Sequence, residues 1–340
     1  APPSGPGRPR RREKRFAPAR RIAALVREHN AGFVLIAGDL FDSHAPAPAD
    51  IRETAALLGG FPAPVYLIPG NHDPHVPGGP WEHPVWREFS NVHCLLDPCP
   101  LPLEGATLYP CPLRSRWHGG DPLGWIPPRE AAHGVRIGLA HGGLDTAGGP
   151  VPADAAARYG LDYLALGDWH SVSPNLDAGP RQAYSGTPEP DASNPRDAGS
   201  VLVVEIAAPG PPPAVTPLRS GRLFWRQDAA ELLQEGDARR LRQRLEEEAS
   251  GDVLLDLAVS GELFPGDERE LDEIAALLQQ RYFHGRLTRG ALWPAGAEAE
   301  LPPGPLAMAA AQLRERAAAG DHAAADALLL LRRLSLEAGL

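Results

Sequence analysis

Hydrophobic positions along the chain fall into short runs separated by amphipathic stretches. Ile22, Leu25 and Val26 recur at helical spacing and predict a helix over 17–29. Phe33-Val34-Leu35-Ile36 follows as a buried strand ended by Gly38-Asp39, and a second helix runs from about Ala49 to Leu58, stopped by Gly59-Gly60. Val65-Tyr66-Leu67-Ile68 repeats the buried-strand pattern and ends at Pro69-Gly70. Residues 74–134 are rich in Pro and Trp and weakly periodic, with strands expected near 92–96 and 106–109. The alternation then resumes, with strands at 135–140, 163–166 and 200–206 and a short helix at 152–159. Strands alternating with helices predict an α/β core.

Beyond a Pro-rich loop or hairpin at 207–215 the style changes. A charged helix is expected over 228–249, a strand over 253–259, a helix over 268–281 and an Ala/Leu-rich helix over 305–337. This predicts a main domain over 15–226 and a smaller α+β region over 227–340. Residues 1–14, rich in Pro, Gly and Arg and without apolar periodicity, are expected to be a disordered tail. No internal repeat is evident.

Composition narrows the classes. Of 340 residues, 43% are hydrophobic and 22% charged, which excludes a wholly disordered chain. No run of eighteen apolar residues offers a membrane span. Three cysteines, Cys94, Cys99 and Cys111, with no CxxC pair, suit a reducing compartment, and no leader pattern opens the chain, so residence in the cytoplasm is expected. Residues 1–21 carry seven Arg, one Lys and one Glu, a local +7 that leaves −17 of the net −10 to the remainder. A body so acidic is ill suited to hold nucleic acid by charge alone.

Four strand ends carry the chemistry. They read Gly38-Asp39-Leu40-Phe41-Asp42, Gly70-Asn71-His72-Asp73, His141-Gly142-Gly143 and Gly167-Asp168-Trp169-His170. Ligands of open α/β sheets bind beyond the carboxyl ends of strands, so the four clusters are expected to converge. Asp, Asn and His offer oxygen and nitrogen donors without sulfur, a set for Mn²⁺, Zn²⁺ or Fe. Two such ions could clamp an in-line phosphoryl displacement. His44, His75, His83, His93, His118 and His133 are expected to be solvated or structural, with His75 and His83 the best placed to approach a substrate. Trp81, Trp86, Trp117 and Trp125 are expected to cap a small core rather than stack on bases.

The motifs GDLFD, GNHD, AHGG and GDWH resemble, in order, those of the calcineurin-like metallophosphoesterases. The strand before GDLFD and the later Tyr184-Ser185-Gly186-Thr187-Pro188-Glu189 resemble the SbcD-type DNA repair exonucleases of that family. The resemblance covers about residues 15–226. It implies a four-layer α/β/β/α sandwich with a capping region, and two divalent metal ions, Mn²⁺ foremost. It implies that Asp39 bridges both ions, that Asn71, His141 and Asp168 complete one shell, and that His170 joins Asp39 on the other. His72 would protonate the leaving oxygen, Asp73 would orient His72, and Asp42 would support them from behind. It also implies DNA as substrate, an SbcC-like ATPase as partner and a homodimer.

Two departures bear on these expectations. Asp168 stands where the family's last motif carries its first His, which adds negative charge and favours Mn²⁺ or Mg²⁺. The family's opening Asp-x-His strand has no counterpart before Asp39, and the chain begins at Ala1 with Met308 as its only methionine. The expectation is an N-terminal segment beyond this sequence and, for the chain as written, one tightly bound ion and weak phosphodiesterase activity. Two alternatives stay open: a phosphatase or cyclic-nucleotide phosphodiesterase with a small substrate, and a non-catalytic scaffold.

Overall fold

In the computed structural model, which describes residues 8–116, 120–130, 134–190, 198–295 and 304–337, the side chains of the Val65–Ile68 strand alternate between two cores. Val65 and Leu67 point toward helices, whereas Tyr66 and Ile68 point toward a second sheet. That alternation, the period of two of any strand, is what stacks this molecule in layers.

The first unit ends at Leu223. Helix α1 (Arg8–Glu28) and α2 (Pro48–Gly59) flank a parallel sheet of β1 (Val34–Ala37), β2 (Val65–Ile68) and β3 (Val92–Cys94). Helix α1 starts at Arg8, inside the stretch expected to be a tail up to residue 14. Arg, Lys and Glu are good helix formers, and Pro9 falls in the first turn, where its missing N–H costs nothing.

A five-stranded sheet packs beneath. Its strands are β4 (Leu101–Leu103), β5 (Ala106–Cys111), β6 (Val135–His141), β7 (Tyr163–Gly167) and β8 (Gln182–Tyr184), parallel except for β4 against β5. The two sheets share a dry layer in which Ile68 meets Leu108, Ile137 and Leu139. The other face of the larger sheet, through Tyr109, Cys111, Ala140 and Leu164, is covered by Leu123, Ile126 and helix α3 (Ala155–Arg158). Helix, sheet, sheet and helix make four layers. An antiparallel pair, β9 (Ser200–Glu205) and β10 (Ala214–Arg219), lies against β7 through Val204, Leu202 and Val215.

A buried ion-pair cluster ties the start of β7 to its neighbours. The Asp162 carboxylate, fully buried, accepts from Arg129 at 3.0 and 3.2 Å, from the N–H of Arg136 at 2.8 Å and from the N–H of Gly210 at 2.8 Å. Burial works against its ionised form, yet Arg129 and the two N–H groups together hold the carboxyl below its usual range.

The second unit spans Phe224–Leu340. Strands β11 (Phe224–Leu232), β12 (Val253–Leu263) and β13 (His284–Pro294) are all parallel, joined by α4 (Asp237–Glu247) and α5 (Asp267–Arg281). Leu241, Leu245, Leu271 and Ile274 pack on Leu255, Leu257 and Val259. Residues 228–232 therefore belong to a strand, not to the helix expected from 228. Gly236, at φ +86°, separates the two. The C-terminal stretch is two helices, α6 (Pro305–Ala318) and α7 (His322–Glu337), broken at Gly320 with φ +92°. No helix among the described residues is long and apolar enough to cross a membrane.

Candidate metal centre

Strands β1, β2, β6 and β7 end on the same side of the two sheets, and the polar clusters that follow them meet there. His141, the last residue of β6, is the pivot and is only 1% exposed. Its Nδ1–H donates to the carbonyl of Ala37, the last residue of β1, at 2.7 Å. Its Nε2 faces three oxygens: Asn71 Oδ1 at 3.2 Å, Asp39 Oδ2 at 3.3 Å and Asp168 Oδ1 at 3.7 Å. Four residues separated by up to 129 positions thus surround one point.

Close approach of the strand ends depends on glycine. A Cβ at Gly70 would overlap the Asp39 carboxylate, and one at Gly167 would overlap the Ala37 carbonyl and crowd His141. Asp39 (φ +52°) and Asp168 (φ +97°) are two of the four non-glycine residues with positive φ among those described. Backbone strain of this kind concentrates where side-chain placement outweighs local comfort.

The electrostatics follow from the same geometry. Burial works against the His141 imidazolium, but Asp39, the Ala37 carbonyl and Asp168 outweigh it and raise the pKa above the ordinary histidine value. Burial likewise works against the Asp39 carboxylate, and His141 with the N–H and charge of His72 draws its pKa down. With Nδ1–H committed to Ala37, three oxygens around Nε2 are tolerable only if something positive stands among them, a proton or a cation.

Asp73 has a different place from the one expected. It does not orient His72. Its fully buried carboxylate accepts the N–H of Gly70 at 2.7 Å, of Phe41 at 2.9 Å and of Asp39 at 3.2 Å, bracing the turn after β1. Desolvation pushes this carboxyl up to about 6 against the pull of those donors. Trp81, buried and stacked on Trp86, donates its indole N–H to the Asp73 carbonyl and fixes the loop. The partner of His72 is Asp42, whose Oδ1 lies 3.1 Å from Nδ1. Both are exposed, at the rim of the cluster. His170 is exposed two residues beyond Asp168; the hydrogen bonds and ion pairs of Asp39 run to His141, His72 and Asp73 rather than to it.

The remaining histidines and tryptophans divide as follows. His93 stacks on Tyr66 with centroids 4.9 Å apart, and His83 Nδ1 accepts the N–H of Val85, both structural contacts. The N–H of His75 donates to the Leu113 carbonyl, and His44 is exposed. Trp125 packs against the Tyr109 core. Trp117, His118 and His133 lie outside the described residues. One aromatic escaped the sequence reading: Trp169, between Asp168 and His170, is 58% exposed. The signal was its position, a large apolar residue set between two donors at a strand end.

Among the described residues no group of three or more His, Cys, Asp or Glu side chains has the spacing of a formed metal shell. The donor set nonetheless fits a hard or borderline cation, with two carboxylates, an amide oxygen and an imidazole. Adjacent ligands on bonds of about 2.1 Å in an octahedron stand about 3 Å apart. The 3.2 and 3.3 Å separations already approach that value.

Residues 12–172, which contain every residue of this cluster, match the family described as calcineurin-like phosphoesterase. A protein of Bacillus subtilis (strain 168) described as uncharacterized metallophosphoesterase YhaO is 33% identical over 182 residues, which cover 47% of this chain and 41% of the relative. The DNA double-strand break repair protein Mre11 of Archaeoglobus fulgidus is 46% identical over 55 residues, 15% of this chain and 12% of that protein. The chain thus spans less than half the length of either relative.

Proposed function

We propose that this chain is a divalent-metal phosphodiesterase that acts on DNA from an end, as a repair exonuclease. The convergence of Asp39, Asn71 and Asp168 oxygens on Nε2 of His141 carries the reading. It is supported by the four motifs in order and by the short match to a protein named for DNA double-strand break repair.

Asp39, Asn71, His141 and Asp168 would hold one cation, and Asp39 with His170 would contribute to a second. Mn²⁺ is the preferred identity, because two carboxylates and an amide favour oxygen-seeking ions. Such ions lower the pKa of water and draw charge from a phosphoryl oxygen. The chain's own residues do the rest. Ala37 fixes the His141 tautomer, so that Nε2 is the nitrogen presented to the cluster. Asp73 holds the backbone from which Asp39 projects. Asp42 engages Nδ1 of His72, leaving Nε2 for the ester, and a protonated His72 can pass its Nε2 proton to the departing oxygen.

The acidity outside residues 1–21 argues that DNA is held with help, and an SbcC-like ATPase partner, a homodimer and a cytoplasmic setting complete the proposal. The same acidity favours a second reading, a phosphatase or cyclic-nucleotide phosphodiesterase with a small substrate. Hydrolysis of bis-p-nitrophenyl phosphate and of linear and closed-circular duplex DNA, with Mn²⁺ and then with chelator, tests both. Mn²⁺-dependent turnover of the small diester and of linear DNA is expected. Turnover of the small diester alone would favour the second reading, and no turnover of any diester would overturn the exonuclease reading and leave of the second only the phosphatase.

A further inference from the structure

We infer that Trp169 is a stacking platform for a nucleobase, and that the ester held at this site belongs to a nucleotide rather than to a plain alkyl or sugar phosphate. The inference rests on the phosphodiesterase reading and deepens it. Of the seven large hydrophobic side chains that stand exposed among the described residues, only Trp169 lies in the first unit, and it follows β7 directly between Asp168 and His170. Its neighbour Asp168 reaches to 3.7 Å from His141 Nε2. The other tryptophans of that unit among the described residues are spoken for: Trp81 and Trp86 are buried against Phe41, and Trp125 packs beside Tyr109.

An indole left 58% exposed keeps a π-face open to a ligand. The local charge says which ligand. Asp39, Asp42, Asp73 and Asp168 crowd the site, and among the described residues no Lys or Arg is within hydrogen-bonding or ion-pairing distance of any of them. A substrate here gains little from side-chain cations beyond what metal ions supply. A π-face beside the cluster supplies affinity without charge, and every base presents a complementary face. The strained φ of Asp168 fixes the turn from which Trp169 projects.

The test compares adenosine 5′-monophosphate with ribose 5-phosphate, which carries the same phosphate without the base. Both are titrated by calorimetry into the full chain with Mn²⁺ present, in wild type, Trp169→Phe and Trp169→Ala. The nucleotide is expected to bind wild type about tenfold tighter than the sugar phosphate, with the gap kept in Trp169→Phe and closed in Trp169→Ala. Equal affinities in wild type, or a gap that survives Trp169→Ala, would overturn the inference. Far-UV circular dichroism verifies that each variant folds. A Trp169-dependent gap in a protein that hydrolyses no diester would leave the platform standing and remove the phosphodiesterase reading.

Discussion

Asp39 and Asp73 hold each other's loops. Asp73 Oδ1 accepts the N–H of Asp39 at 3.2 Å, while Asp39 Oδ1 accepts the N–H of His72, next to Asp73, at 2.9 Å. One carboxylate is buried and structural, the other faces the cluster. Replacing Asp73 by Ala strands three backbone N–H groups, two of them buried. The expected loss is about 2–4 kcal/mol in urea unfolding. Asp73→Asn keeps one acceptor oxygen and should lose less. A loss under about 0.5 kcal/mol for Asp73→Ala would show that the loop stands without this brace.

Removing the pivot should remove the cation. His141→Ala is expected to weaken Mn²⁺ binding by about 100-fold or more in calorimetric titration. In the wild type, Mn²⁺ at about 100 times its dissociation constant should stabilise the fold by about 2.7 kcal/mol, and chelator should abolish the gain. A melting temperature indifferent to Mn²⁺ would contradict the assignment.

In the proposed mechanism His72 acts on the leaving oxygen, so the effect of losing it should depend on that oxygen. His72→Ala should cut kcat by about 10²- to 10⁴-fold for diesters with alkyl leaving groups. The loss should be much smaller for p-nitrophenolate, which departs without a proton. Asp42→Asn should follow the same pattern more weakly. Equal losses for both leaving groups would assign His72 to binding.

Acid should undo the Asp162 cluster. A carboxyl held below its usual value stabilises the fold above the ordinary carboxylate range, and that contribution is lost as pH falls through the lowered value. Asp162→Asn is expected to cost about 3–5 kcal/mol at neutral pH. In urea titrations from neutrality to below about pH 4, wild type and variant should converge. A gap unchanged in acid would mean that the charge of Asp162 is immaterial.

The four strand ends were legible because buried strands announce themselves and because Asp, Asn and His recur where each of these runs ends. The partner of His72 was not legible. Adjacency in sequence pointed to Asp73, whereas the turn sends neighbouring side chains opposite ways, one into the core and one to the rim. The end of the strand at Phe224–Leu232 was hidden by its charges: Asp228 and Glu231 fall in the stretch read as a charged helix until pairing with β12 fixes them in register. Trp169 was hidden because an aromatic in a pattern gives no sign of its exposure.

The left-handed backbone at Asp39 and Asp168 sets reactivity against durability. Glycine at either position would relieve strain on the order of 1 kcal/mol and discard a charge from a crowded acidic patch. A screen that rewards heat resistance alone should therefore enrich Asp168→Gly, yielding a hardier molecule with a weaker grip on a metal, whereas Asp39→Gly also gives up the acceptor of the His72 N–H.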